Sequence, residues 1–182
     1  MTTTPSTVST WNIDPTHSAA EFKVKHMMIS NVKGKFSGIS GSLTLDEADP
    51  TRSAVEASIP VATLSTADEQ RDTHLKSADF FDAEKFPTLS FKSLAVSPTA
   101  PGEYNVTGEL TMHGATRTVT FAVEGPGQPA KDPWGNQRIG LSATTRINRK
   151  DFGLTWNAAL ETGGVLVGED VTITLDVEFL KA

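Results

Sequence analysis

The stretch "EYNVTGELTMHGATRTVTFAVE", residues 103–124, decides the fold. Tyr104, Val106, Gly108, Leu110 and Met112 fall on one side of an extended chain, opposite Asn105, Thr107, Glu109 and Thr111. After the short connection "HGATR" (113–117), Val119, Phe121 and Val123 alternate with Thr118, Thr120 and Glu124. A helix repeats every 3.6 residues and would scatter these apolar side chains around its axis, whereas a strand of period two gathers them on one face. Two such runs on so short a link predict a β-hairpin with one dry and one wet face.

The same alternation continues in both directions. Downstream, past the Gly- and Pro-rich "GPGQPAKDPWGNQ" (125–137), Ile139, Leu141, Ala143 and Ile147 define one strand. Val171, Ile173, Leu175, Val177 and Phe179 define the last, opposite Thr172, Thr174, Asp176 and Glu178. Upstream, Ala20, Phe22, Val24, His26 and Met28 oppose Glu21, Lys23 and Lys25 in a first strand. Phe36, Ile39, Leu43 and Leu45 make a second, long and curved at Gly38 and Gly41. Val55, Ala57, Ile59 and Val61 make a third, in which Pro60 marks an edge or a bulge, and Leu89, Phe91, Leu94 and Val96 make a fourth. Eight mainly antiparallel strands with one apolar face each can close into a barrel or stack as a sandwich. The barrel is preferred because closure removes exposed edges, and eight strands enclose either a packed core or room for one small ligand.

Composition narrows the function classes. The 182 residues, 37% hydrophobic and 21% charged, fit one domain, expected over residues 11–182. Residues 1–10, mostly Thr, Ser and Pro, are expected to be a mobile tail. The net charge of −6, with no basic patch, makes nucleic acid a poor partner. The absence of cysteine removes disulfides, thiolate metal sites and a Cys nucleophile. No apolar run is long enough for a transmembrane helix, and "MTTTPSTVST" lacks the basic and apolar regions of a signal peptide, so a cytoplasmic location is expected.

Between the third and fourth strands, "STADEQRDTHLKSADFFDAEKFP" (65–87) has no alternation and reads as a short helix. Thr66 with Glu69 makes a capping box, and Asp72 stands four residues before Lys76. Arg71, His74, Leu75 and Ala78 share a partly apolar face, and Phe80, Phe81 and Phe86 supply the area that would dock the segment over a barrel end. Arg71, Asp72 and His74 are close in sequence, yet on a helix Asp72 and His74 face apart, so the Asp cannot orient that His for catalysis. His17, His26, His74 and His113 show no metal-binding spacing, and no nucleophile elbow, Walker loop or dinucleotide fingerprint occurs. No catalytic residue, metal or cofactor is expected. The irregular span 149–169, with Trp156 and "VLV" (165–167), closes a barrel end or forms a dimer contact.

Taken in order, "WNIDPTHSAAEFKVKHMMI", "VKGKFSGISGSLTL", "RDTHLKSADFFDAEKFPTLSFKS", "GELTMHGATRTVTF" and "INRKDFGLTW" resemble the blocks of the YceI-like family. The resemblance runs from Trp11 to the last strand. It implies an all-β fold with a short helix, a lipocalin-like antiparallel eight-stranded barrel enclosing an elongated apolar pocket. It further implies a non-catalytic protein, in many members a homodimer, that holds an isoprenoid or similar long-chain lipid for transport, storage or shielding. The wall positions expected to contact such a ligand are Phe22, Val24, Phe36, Leu45, Val55, Ile59, Phe91, Leu110, Met112, Phe121, Leu141, Ile173 and Leu175, with His26 as the polar contact. Two other readings stand beside it: an enzyme acting on a hydrophobic substrate through His26 or His74, and a packed stress-related scaffold that binds a protein partner.

Overall fold

A computed structural model describes residues 6–182. The strands are β1 (Val8–Ile13), β2 (Ala19–His26), β3 (Ser30–Phe36), β4 (Ser40–Asp46), β5 (Ala54–Pro60), β6 (Thr88–Ala100), β7 (Glu103–Met112), β8 (Ala115–Glu124), β9 (Ala130–Lys131), β10 (Gln137–Asn148) and β11 (Val167–Lys181). Helix α1 spans Glu69–Lys76 between β5 and β6. Every pairing is antiparallel, and the circuit β11–β1–β4–β5–β6–β7–β8–β10 returns to β11, closing a barrel of eight strands. β11 is the seam. Its far edge pairs with β1 near its C-terminal end and with β2 over its N-terminal half, so the hairpin β2–β3 extends the wall beyond the closed ring.

The first expected strand, from Ala20, is β2, which ends at His26 with Met28 in the turn beyond; β1, ahead of it, belongs to none of the expected strands, and the long second strand is broken in two. β1 and β2 run the same way along β11 with a single 3₁₀ turn at Pro15–His17 between them, whose first turn is capped by Asp14 accepting from the Thr16 N–H. The long second strand is β3 and β4, parted at Ser37–Ile39, where Gly38 takes φ +69°. Both Phe36 and Ile39 remain buried across the break, which is why apolar spacing alone reads it as one continuous run. The expected tail also ends earlier than composition suggests. Val8, Ser9 and Thr10 pair with Asp46, Leu45 and Thr44, because main-chain hydrogen bonds on an open barrel edge stabilise a strand even where its side chains are mostly polar. The remainder of that tail, residues 1–5, lies outside the described residues.

The central hairpin folds as its alternation requires. β7 and β8 pair from Glu103↔Glu124 to Met112↔Ala115, joined by His113 and Gly114, both at positive φ as a two-residue hairpin turn demands. Pro60 is the last residue of β5, where its missing N–H costs no ladder bond. In β6 the register shifts between Ser93 and Ala95, and the bulged Leu94 turns outward and is exposed instead of joining Phe91 and Val96. Trp11, Phe152 and Phe179 are nearly sealed from solvent, each contributing roughly 1.5–3 kcal/mol of burial.

One end of the barrel is latched by charge. Arg138 on β10 donates to Asp14 Oδ2 at 2.7 Å, to Glu178 Oε1 at 2.8 Å and, through Nε, to Asp132 Oδ2 at 2.9 Å. The guanidinium thus ties the β1–β2 junction, β11 and the 125–137 loop to one strand. Arg138, then His17, holds the Asp14 carboxyl far below the usual range. Desolvation raises the Asp132 carboxyl, but Arg138 and the backbone N–H groups of Asn136 and Trp134 outweigh it and leave it at about 2. Because both values are depressed in the folded state, their stabilisation is complete above the unfolded value of 3.8 and is lost as pH falls through that value toward about 2. The thermal midpoint should therefore drop between those limits, and Arg138→Met should flatten that drop while lowering the midpoint at neutral pH. A profile unchanged by the substitution would exclude the latch as its cause.

Candidate functional site

The inward side chains do not fill the barrel. They surround an elongated cavity of about 260 Å³ whose lining is almost entirely aliphatic and aromatic. It runs from Pro50, Ser53, Tyr104 and Pro126 at the latched end to Leu75, Phe80, Arg149 and Leu154 at the other. All thirteen apolar positions expected from the sequence line it: Phe22 and Val24 on β2, Phe36 on β3, Leu45 on β4, Val55 and Ile59 on β5, Phe91 on β6, Leu110 and Met112 on β7, Phe121 on β8, Leu141 on β10, and Ile173 and Leu175 on β11. His26 does not. It is the last residue of β2, paired with Ser30 and Val167 beyond the closed ring, so its place on the apolar face carries it past the end of the cavity.

Two glycines give the wall its inner relief. The Phe22 ring lies over Gly34, its cross-strand partner, and the Phe91 ring lies over Gly108. Phe22 then tilts against Phe36 at 5.7 Å between centroids, and Phe91 meets Phe121 edge-on at 5.2 Å. A methyl at Gly108 would overlap both that ring and the Lys92 carbonyl, whereas Gly127 has nothing within 4 Å. Gly108→Ala is expected to cost about 1–3 kcal/mol in urea denaturation, with Gly127→Ala close to neutral as the control. Equal stability of the two variants would contradict this packing.

The far end is closed by two irregular segments. Asp68, rather than Thr66, caps α1, accepting from the Arg71 N–H at 3.0 Å. Thr66 is buried and gives its hydroxyl and N–H to Asp72, while the Arg71 guanidinium bonds the Thr66 hydroxyl and carbonyl. Asp72 therefore holds the preceding loop, and forms no ion pair with Lys76 among the described residues. The helix stops at Lys76, with Ser77 as C-cap, so Ala78 is exposed and outside its face. Phe80 and Phe81 reach the cavity. Phe86 does not, and packs on His113 and over Gly114.

His74 pairs with Asp79 at 2.9 Å and stands edge-on to Phe80 and Trp156, outside the cavity lining. Its partner is thus a residue that helical spacing could not supply. Asp14, His17 and Glu178 bring three potential metal ligands together, but the Arg138 guanidinium already stands between Asp14 and Glu178 as their cation.

Sequence reasoning missed Arg149, the one buried charged side chain lining the cavity among the described residues. Only 3% exposed, it donates to the carbonyls of Gly168 at 2.7 Å, Leu154 at 2.6 Å, Trp156 at 2.9 Å and Val167 at 3.3 Å. Burial pushes its pKa down, partly offset by Glu169, though a guanidinium stays charged. These bonds fold residues 149–169 across the barrel end, seating Phe152 and Leu154 in the core and Trp156 against Phe80 at 5.2 Å. Of the two expectations for this span, the end closure is seen in Phe152, Leu154 and Trp156, and a dimer contact belongs with the assembly proposed below. The signal for Arg149 was a charge following the inward residues Ile139, Leu141, Ala143 and Ile147 in the same alternation.

A closed antiparallel barrel of eight strands around one elongated apolar cavity defines a lipocalin-like protein. The chain belongs to the YceI-like family, whose domain matches residues 11–179. It is 38% identical over 172 residues to the UPF0312 protein SAS2572 of Staphylococcus aureus, covering 94% of this chain and 98% of that one. Among solved structures, BcnA of Burkholderia cenocepacia superposes with a TM-score of 0.77 at 25% identity, over 91% of this chain and 98% of its own. The YceI protein of Campylobacter jejuni gives 0.71 at 30% identity, over 88% and 91%. A polyisoprenoid-binding domain from Saccharophagus degradans shares the fold, with a TM-score of 0.67 at 14% identity, over 94% and 98%. Among the described residues no helix is long and apolar enough to cross a membrane.

Proposed function

We propose that this protein holds one long-chain lipid, an isoprenoid or an equivalent apolar chain, inside the barrel without transforming it. The observation that carries the reading is the cavity itself: long, narrow, apolar and walled by every inward strand face. The longer wall strands, such as the 12 residues of β10, rising about 3.3 Å each and tilted by some 40°, give a barrel roughly 30 Å long. So narrow a volume over that length fits an extended chain better than a compact ring system. Each buried CH₂ contributes about 0.8 kcal/mol, so affinity should climb with chain length until the chain outgrows the barrel. A polyisoprenoid-binding relative of the same fold supports this class of ligand. The thirteen wall residues are the proposed contacts, and a homodimer, as the family resemblance implies, is the proposed assembly.

The non-catalytic role belongs to the same proposal, in which His74, paired with Asp79 outside the cavity lining, has a structural part. Displacement of a fluorescent polyene by prenols of increasing length tests the reading. Affinity that rises steeply with length and then levels is expected. Length-independent binding, or none, would overturn it.

A further inference from the structure

The hairpin β2–β3 has two faces and a tip, and the cavity uses one face. Phe22 and Val24 line the cavity, while Lys23, Lys25, Lys33 and Lys35 alternate onto the outer face, all exposed. Among the described residues none of the four has a carboxylate within ion-pairing distance. Lys23 stands directly opposite Lys33 across the ladder, and on its other side meets the neutral Thr172. Like charges in register cost stability, so this pairing is not there for the fold. Glu21, opposite Lys35, is the one acid of the face. Lysines often protect an open strand edge, which accounts for Lys33 on β3, though at Lys35 that edge is already covered by Ser65. It does not account for Lys23 and Lys25, because β2 lies between β3 and β11.

The tip departs from fold logic as well. The Ile29 N–H bonds the His26 carbonyl at 3.2 Å, and Met27 and Met28 between them take φ of 52° and 62°. Such a turn favours Asn-Gly, and larger side chains are strained in it. Here it carries methionines that are 41% and 60% exposed, followed by Ile29 at 79%. Backbone ease and apolar burial are given up at the same three residues.

We propose that this hairpin docks on an anionic lipid bilayer, its Met-Met-Ile tip entering the headgroup region and its four lysines lying against lipid phosphates. The remainder of the chain orients the approach. With a net charge of −6 overall and four lysines gathered on this face, the molecule is attracted to an anionic surface through the hairpin and repelled elsewhere. A second copy of this chain is a poorer occupant, since a two-fold contact through the face sets lysines against lysines. Docking does not depend on what fills the cavity, although the hairpin's inner face is part of the cavity wall.

Flotation with vesicles of phosphatidylglycerol and phosphatidylcholine in equal parts, against phosphatidylcholine alone, tests the proposal. Partition into the anionic vesicles should exceed that into the neutral ones by more than about thirtyfold and should fade with added salt. Lys23→Gln with Lys33→Gln removes two charges and a repulsion, and should lower partition about thirtyfold with the thermal midpoint maintained. Met27→Asn with Met28→Gly improves the turn, so the midpoint should hold or rise while partition falls about tenfold. Equal partition into both vesicles, none into either, or full partition by these variants would overturn the proposal. So would a dimer in sedimentation velocity that the same substitutions disperse, which would assign the face to a second copy.

Discussion

Arg149→Met is expected to lower stability by about 3–5 kcal/mol, read from the denaturant midpoint at constant m-value. The size follows from what the substitution leaves behind. Four carbonyls, of Leu154, Trp156, Val167 and Gly168, converge on one guanidinium. An unsatisfied buried acceptor costs about 1–3 kcal/mol, and some of these would find water as the segment opens. The same opening should expose residues 155–166 to limited proteolysis and unseal the cavity end beside Phe80. Arg149→Lys should recover only part of the loss, because an ammonium has three donors and no planar fork with which to reach four carbonyls. A loss under about 1 kcal/mol would mean that Phe152 and Leu154 alone hold the segment.

The second large effect concerns the cavity directly. Ala143 is buried on β10 and lines the cavity near mid-barrel, so in Ala143→Phe the new ring enters space that the native fold leaves empty. The barrel should fold with an unchanged or raised thermal midpoint, since an apolar ring filling an apolar void gains burial without displacing backbone. Lipid uptake should fall sharply. Excluding even three methylenes forfeits about 2.4 kcal/mol, a factor of roughly 50 in the dissociation constant. Ala122→Phe, on the outward face of β8, is the matched control. Undiminished uptake by the Ala143→Phe barrel would place the lipid elsewhere.

Period-two alternation made the barrel and its wall legible, because each inward residue of a closed sheet faces the same interior. Phe22, Phe91, Phe121 and Ile173 could be placed from parity alone. Parity does not say where a strand ends. His26 keeps the parity of β2 yet lies past the cavity, and Phe36 and Ile39 keep an apolar appearance across a break between two strands. Nor does parity see strands built on main-chain bonds, such as Val8–Thr10 in β1. The helix was recognised by its charges, but Asp72 bonds Thr66 and His74 bonds Asp79, because partners in a docked segment are chosen by the loops that meet it. Arg149 was hidden for the opposite reason. A charge in an inward position reads as the end of a strand, and the four carbonyls that make it tolerable come from residues up to 19 positions away.

The barrel is proposed to hold one extended lipid chain. Native mass spectrometry of the protein purified without detergent, followed by fragmentation of any retained adduct, tests it most directly. A single bound species per barrel with a long hydrocarbon or prenyl chain is expected, absent from the Ala143→Phe variant. A barrel that is empty as purified and still takes up no prenol or fatty acyl chain on titration would contradict it.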